Sequence, residues 1–112
     1  MVTESYEFRG QRFDWDRDKN ISNIEKHGIS FKMAALTFFD PNATTLDDLE
    51  HSQNEDRFIL IGLTESHRLL TVCHCYREDD IVIRIISARK ATKSEERLYG
   101  GAFWCTMIWP LI

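Results

Sequence analysis

Apolar residues in the second half of the chain recur in short runs of the kind that form strands. Residues 58–64, 69–76 and 81–87 are rich in β-branched and aromatic side chains, which suit a pleated sheet. The polar turns between them are residues 65–67 and 77–80. Because consecutive strands joined by short turns form a meander, the pattern predicts an antiparallel sheet.

The first half of the chain predicts a hairpin followed by a helix. In residues 6–15, apolar positions flank Gly10, a natural turn residue. Asp16 then suits the N-cap of a helix over residues 17–27. Gly28 stands where a helix-ending glycine belongs.

A second short helix follows that glycine. Ser30 is a good N-cap, and apolar residues at helical spacing run from Phe31 to Phe38, where Asp40-Pro41 ends the segment. Residues 43–46 then predict an edge strand within an acidic stretch.

A last helix is expected to start at Thr92 or Ser94. We therefore predict one domain over residues 1–112 with an α+β fold, in which an antiparallel sheet carries two N-terminal helices on one face and a C-terminal helix.

Composition places the chain among soluble globular proteins, at 43% hydrophobic and 29% charged residues. Net charge is −4, but residues 1–56 carry 6 Lys/Arg against 12 Asp/Glu, whereas residues 57–112 carry 8 against 6. A local basic face can still bind phosphate on an acidic protein. The three cysteines fit neither a disulfide framework nor a zinc site. With no signal peptide in residues 1–5 and no membrane-length apolar run, we expect a cytoplasmic location.

One stretch, residues 84–92, joins a buried strand to a cationic end. It contains Arg84, Ser87, Arg89 and Lys90, and Lys93 follows. Two adjacent cations at the end of a core strand resemble a phosphate-binding device. The alternative is a strand-to-helix junction with a solvated basic edge, because charge runs are usually surface.

Histidines are the other candidates for catalysis, and each can instead have a purely structural role. His27 can be a helix C-cap, His51 a solvated loop residue and His74 a core residue. No zinc motif, nucleophile elbow or glycine-rich phosphate loop is present. RNA cleavage needs only a base, an acid and cations beside the phosphate, because the attacking 2′-hydroxyl is already adjacent.

Several ordered motifs resemble the BrnT family of toxins. They are Asp14-Trp15-Asp16, Lys19, Asn23, residues 26–31, Asp40-Pro41, Asp47-Asp48, His51-Ser52, residues 55–58, Ile61-Gly62, residues 84–92 and residues 95–97. The resemblance covers about residues 13–99. The segment before Phe13 and the apolar tail of residues 100–112 depart from it.

The resemblance implies a RelE-like fold and a metal-independent endoribonuclease of a bacterial type II toxin–antitoxin module, with no cofactor. It implies a small antitoxin of ribbon-helix-helix type that neutralises the toxin and binds operator DNA, in a homo-oligomer or a hetero-tetramer. Matched positions assign catalysis to Lys26, His27, Glu55, Arg57, Arg84 and Arg89, and RNA binding to Ser87, Lys90 and Lys93; His51 and His74 match less firmly.

In this interpretation Arg84 and Arg89 bind the scissile phosphate and Lys90 a neighbouring one. His27 or Lys26 moves a proton, and Glu55 with Arg57 orients the cations or acts as base. Two alternatives remain open. One is a non-catalytic module that binds antitoxin and represses an operator; the other is a metal-binding regulator that uses the three histidines.

Strand register decides whether His74 or Arg84 shares a face with the cations. A four-residue turn over residues 77–80 pairs Tyr76 with Ile81 and keeps Ile81 buried, which is worth roughly 1.5–3 kcal/mol. Because side chains alternate along a strand, this register places His74 and Arg84 on opposite faces. We therefore expect Arg84, rather than His74, on the face of the cations.

Overall fold

The computed structural model describes residues 1–53 and 55–100 of the 112-residue chain. Its strands are β1 (Thr3–Phe8), β2 (Gln11–Asp16), β3 (Thr44–Asp47), β4 (Phe58–Leu63), β5 (Leu69–Arg77) and β6 (Val82–Lys90). Its helices are α1 (Arg17–His27), α2 (Phe31–Leu36) and the single turn α3 (Lys93–Glu96). Two 3₁₀ turns cover Thr37–Phe39 and Leu49–His51. No helix in this part of the chain is long and apolar enough to span a membrane.

The predicted helix starts and the predicted end of α1 are confirmed by their caps. The second helix is shorter than the predicted run to Phe38, since α2 ends at Leu36 and a 3₁₀ turn covers Thr37–Phe39. Asp16 accepts a hydrogen bond from the backbone N–H of Asp18, and Gly28 ends α1 with φ 69°, a left-handed conformation that glycine adopts without strain. Ser30 caps α2. Thr92 starts α3 with a capping box to Glu95, which selects Thr92 over Ser94.

One six-stranded sheet has the order β1-β2-β6-β5-β4-β3. The predicted hairpin and meander are both present, but the expectation of a wholly antiparallel sheet is wrong. Strand β2 pairs with β6 in parallel, because the chain leaves β2 through the helices and returns between β2 and β5. Apolar residues support that junction, since Phe13 lies opposite Ile83 and both are buried.

Helix α2 packs against one face of this sheet, called here the helix face. Its core contains two large aromatic side chains from β2 and one from α2, with aliphatic side chains from the two central strands. Its buried members are Phe13, Trp15, Ile29, Phe31, Ala34, Ala35, Leu70, Val72, Ile83, Ile85 and Ala88. The other face, called here the open face, carries the polar groups described below.

Asn23 connects α1 to the edge of β6. Its side-chain amide donates to the carbonyl oxygens of Ala88 (2.7 Å) and Ile29 (2.9 Å), and its oxygen accepts from the Ala88 N–H (3.2 Å). The Asn23 amide thus makes the two hydrogen bonds to the Ala88 backbone that a neighbouring strand would otherwise make. With this support β6 continues to Lys90, so the predicted strand end at residue 87 is wrong and Arg89 and Lys90 belong to the strand.

The turn between β5 and β6 differs from the predicted one. Tyr76 pairs with Ile83, not with Ile81, and Ile81 is 61% exposed in the turn. The assumption that Ile81 is buried therefore failed. The observed partner of Tyr76 is two residues further along the chain than the predicted one. Because side chains alternate with period two, a shift of two residues does not change which face of the sheet each side chain occupies.

A β-bulge lies in β6 next to Cys73 and His74. Cys73 is opposite Ser87, whereas His74 is opposite Ile85, which leaves Ile86 as an extra residue in β6. A bulge reverses the alternation beyond it. Arg84 on one side and Arg89 on the other, five positions apart, thereby share the open face, while His74 lies on the helix face. The predicted separation of Arg84 from His74 is confirmed.

The apolar tail singled out in the sequence falls on residues 100–112, of which only Gly100 is described. Tyr99 precedes it and donates to a carboxylate oxygen of Asp40 at 2.6 Å. Burial and this hydrogen bond raise the pKa of Tyr99 to about 12, so the phenol stays protonated. The contact fixes the chain after α3 against the start of the acidic stretch.

Candidate active site

A groove of about 400 Å³ opens on the open face, between the ends of β4, β5 and β6 and the Leu49–His51 turn. Charged side chains of both signs surround it. Its lining residues are Asp48, Glu50, His51, Arg57, Ile59, Thr71, Cys73, Ile86, Ser87, Arg89 and Glu95. Three predicted site residues, Arg57, Ser87 and Arg89, are thus brought together, and His51 joins them.

Arg89 is held by a two-pronged ion pair. Its Nη1 and Nη2 donate to the two carboxylate oxygens of Glu95, each at 2.8 Å. The hydrogen bond from Arg89 lowers the pKa of Glu95 to about 2, with help from Thr92 and Thr71. Glu95 in turn raises the pKa of Arg89. Both groups therefore remain charged at neutral pH, and the guanidinium has a fixed direction.

His51 forms a pair with the buried carboxylate of Asp48. Its Nδ1 lies 3.1 Å and 3.0 Å from the two oxygens of Asp48, and its ring is largely exposed on the groove side. With Nδ1 donating to the carboxylate, Nε2 is the free ring nitrogen. Such a nitrogen can accept a proton from one group and return it to another.

Cys73 lies beside the same carboxylate and donates to Asp48 at 3.6 Å. Burial, together with the negative charge of Asp48, raises the pKa of the thiol to about 11. The thiolate is the nucleophilic form. Cys73 is therefore a neutral donor to Asp48 and a poor nucleophile.

Glu55 lies between two cations next to the groove. It accepts from Arg77 at 2.6 Å and lies 4.0 Å from the Nε of Arg57. The Arg57 Nε is buried and makes no hydrogen bond among the described residues, so its contact with Glu55 is electrostatic. Ser52 accepts from the Arg57 N–H at 2.9 Å and ties this segment to the Leu49–His51 turn. These contacts let Glu55 orient cations.

Other predicted site residues do not line this groove. Lys26 and His27 are exposed at the end of α1, and Lys93 is exposed on α3. Lys90 pairs with Leu70 and so belongs to the helix face. Arg84 shares the open face, but it contacts Asp14 at 3.3 Å in a largely buried pair. Their predicted roles stay predictions.

His74 lies on the opposite side of the sheet from the groove. It is 0% exposed and sits among Phe38, Phe58 and Tyr76. Burial lowers its pKa to about 4, so it is neutral at physiological pH. The core interpretation of His74 is confirmed.

The predicted site residues left out three that line the groove, Asp48, Thr71 and Glu95, and one that binds Glu55 beside it, Arg77. Glu95 carried a usable signal, because it follows Thr92 by three positions as a capping box requires. Asp48 lies three positions before His51 and stood among the family motifs without an assigned role. Thr71 and Arg77 contribute through contacts with residues distant in sequence, which no local pattern reveals.

Comparison with known proteins identifies the family. The model of the ribonuclease toxin BrnT, of type II toxin–antitoxin systems, matches residues 15–95, which is most of the chain. This chain belongs to the BrnT family. The crystal structure of the ribonuclease toxin BrnT from Brucella abortus is similar at 29% identity, with a TM-score of 0.54 over 70% of this chain and 94% of that chain. No curated protein matches.

Membership confirms the function that the sequence motifs implied: the chain is a BrnT ribonuclease toxin of a type II toxin–antitoxin system, and such a system includes a neutralising antitoxin. The α+β architecture is shared with the Brucella toxin. Strand β1 lies outside the matched residues, and its Thr3 approaches the Arg84 guanidinium at 3.5 Å. The BrnT match also includes every residue that lines the groove.

Proposed function

We propose that this toxin cleaves RNA in the open-face groove by attack of a 2′-hydroxyl on the adjacent phosphorus. The observation that carries the proposal is the presence, in one groove, of the Asp48–His51 pair and two guanidinium groups, Arg57 and Arg89. The Asp48–His51 pair supplies a proton acceptor and donor. The two guanidinium groups compensate the negative charge that develops on the phosphate.

In this mechanism the Nε2 of His51 removes the 2′-hydroxyl proton or protonates the departing 5′-oxygen, and solvent water exchanges the other proton. Asp48 holds the ring in the required tautomer. Arg89 and Arg57 bind the non-bridging oxygens as the five-coordinate phosphorus forms. The 2′-oxygen–phosphorus bond forms as the phosphorus–5′-oxygen bond breaks, which yields a 2′,3′-cyclic phosphate. Ser87 and Arg89 both line the groove, and we infer that Ser87 binds RNA beside Arg89.

This set of groups is sufficient without a metal ion. Within residues 1–53 and 55–100, no cluster of three or more His, Cys, Asp or Glu side chains is arranged to hold a metal ion.

Lys90 and Lys93 can bind flanking phosphates from outside the groove. Glu55 orients Arg57, and Arg84 with Asp14 stabilises the β2–β6 junction. Lys26 and His27 remain the alternative source of a proton.

We also infer that the antitoxin is of ribbon-helix-helix type, and that the complex binds operator DNA through it, as a homo-oligomer or a hetero-tetramer. A RelE-like relationship and a cytoplasmic location fit the soluble α+β domain. These inferences rest on the family resemblance.

Substitution of His51 tests the proposed mechanism. We expect His51→Ala and Asp48→Asn to lower the RNA cleavage rate by at least about 100-fold, the scale typical of general acid–base catalysis. His67→Asn is the matched control, since His67 is exposed in a turn with φ 65°, a conformation that Asn tolerates. A His51→Ala protein that is folded and as active as the control would refute the role of His51.

A further inference from the structure

Glu95 is a meeting point of three elements beside the groove. Its Oε1 accepts from the Thr71 hydroxyl of β5 at 2.8 Å and from the Thr92 N–H at the start of α3 at 2.9 Å. Both of its oxygens accept from Arg89 of β6. A carboxylate with contacts to three elements has little freedom to move, and neither does the guanidinium that it binds.

Among the described residues, no hydrogen-bond partner occupies one edge of the Arg89 fork. A guanidinium has five N–H donors in a rigid plane. Glu95 accepts one N–H from each of the two terminal nitrogens, Nη1 and Nη2. The Lys90 carbonyl oxygen accepts the second N–H of Nη1 at 3.3 Å. The remaining two, on Nε and on the outer side of Nη2, lie along the same edge. That edge has the spacing that binds two oxygens of one phosphate.

We propose that Glu95 is a positioning residue that directs the Nε edge of Arg89 to the scissile phosphate. This inference rests on the proposed function of the groove. Glu95 touches no reacting atom; it acts by keeping a two-pronged phosphate contact ready before RNA binds. The cost of orienting the guanidinium is met during folding, so binding energy is available for the transition state.

Glu95→Gln removes the positioning with little change in shape. Its amide oxygen can still accept from Thr71 and Thr92, but its NH₂ group faces the Nη2 donor of Arg89 and cannot accept from it. We expect the single-turnover cleavage rate at saturating RNA to fall by about 10–100-fold. The RNA concentration for half-maximal rate should change by less than about threefold, because loss of orientation affects mainly the chemical step. Glu96→Gln, an exposed carboxylate of the same helix, is the matched control.

The decisive comparison uses Arg89→Ala as a background. If Glu95 acts through Arg89, adding Glu95→Gln to Arg89→Ala changes the rate by less than about twofold. An equal fall in both backgrounds, or no fall from Glu95→Gln alone, overturns the inference. Thr71→Val, a substitution of nearly equal shape, provides a second test if Glu95→Gln is unfolded: it should lower the rate only when Arg89 is present. A wild-type protein that leaves RNA intact would instead refute the proposed function itself.

Discussion

Asn23 offers the sharpest test of how the fold presents the site. Its side chain is 6% exposed and makes three hydrogen bonds, two to the backbone of Ala88 and one to Ile29. Asn23→Ala removes all three, and both partner residues are fully buried. Arg89 follows Ala88 directly, so the same bonds support the strand that carries the main cation of the groove.

The expected loss follows from these contacts. At about 1–2 kcal/mol per buried group left without a partner, three groups destabilise the protein by about 3–6 kcal/mol. The higher helix propensity of alanine offsets about 0.5 kcal/mol. We therefore expect the free energy of unfolding to fall by about 2.5–5.5 kcal/mol, a large part of the stability of a domain of this size.

Urea denaturation of wild type and variant measures the loss, with an unchanged m-value as the check on two-state unfolding. Asn20→Ala is the matched control in the same helix, because within the described part of the chain the Asn20 side chain makes one hydrogen bond, which it accepts from the Phe31 N–H. We expect Asn20→Ala to lower the free energy of unfolding by about 1 kcal/mol. A loss of less than about 1 kcal/mol from Asn23→Ala would contradict the idea that this side chain completes the edge of β6.

Two further predictions concern pH and metal ions. The folded-state pKa of His74, about 4, is below its ordinary value of 6.5, so stability is full above pH 6.5 and falls as pH drops toward 4. Between pH 7 and pH 5, protonation linked to His74 should lower the free energy of unfolding of the wild type by about 2 kcal/mol, and His74→Leu should remove this dependence on pH. Urea denaturation that gives both proteins the same dependence on pH would disprove the prediction. RNA cleavage should persist in EDTA and leave 2′,3′-cyclic or 3′-phosphate ends, whereas a strict Mg²⁺ requirement or 3′-hydroxyl ends would overturn the proposed chemistry.

Much of the fold could be predicted from the sequence because its signals are local. The caps at Asp16, Ser30 and Thr92 and the glycine at position 28 mark helix ends within a few residues. Strand patterns likewise identified the meander. The parallel β2–β6 contact was missed, since it depends on where a distant strand is inserted.

The candidate site was harder to predict because its geometry depends on a bulge. Strict alternation would place Arg84 and Arg89 on opposite faces, and only the extra residue Ile86 returns them to one. The Asp48–His51 pair arises within an acidic stretch that looked merely solvated. Family motifs named the cations as candidate site residues, but only the folded sheet shows which of them share a groove.

The central claim is that cleavage occurs in the groove around Arg89 and not at the end of α1. The most direct measurement compares single-turnover cleavage of one RNA by Arg89→Ala and by the double variant Lys26→Ala/His27→Ala, with folding checked by circular dichroism. We predict a loss of at least about 100-fold for Arg89→Ala and a rate within about threefold of wild type for the double variant. The reverse pattern, with Arg89→Ala active and the double variant inactive, would contradict the account.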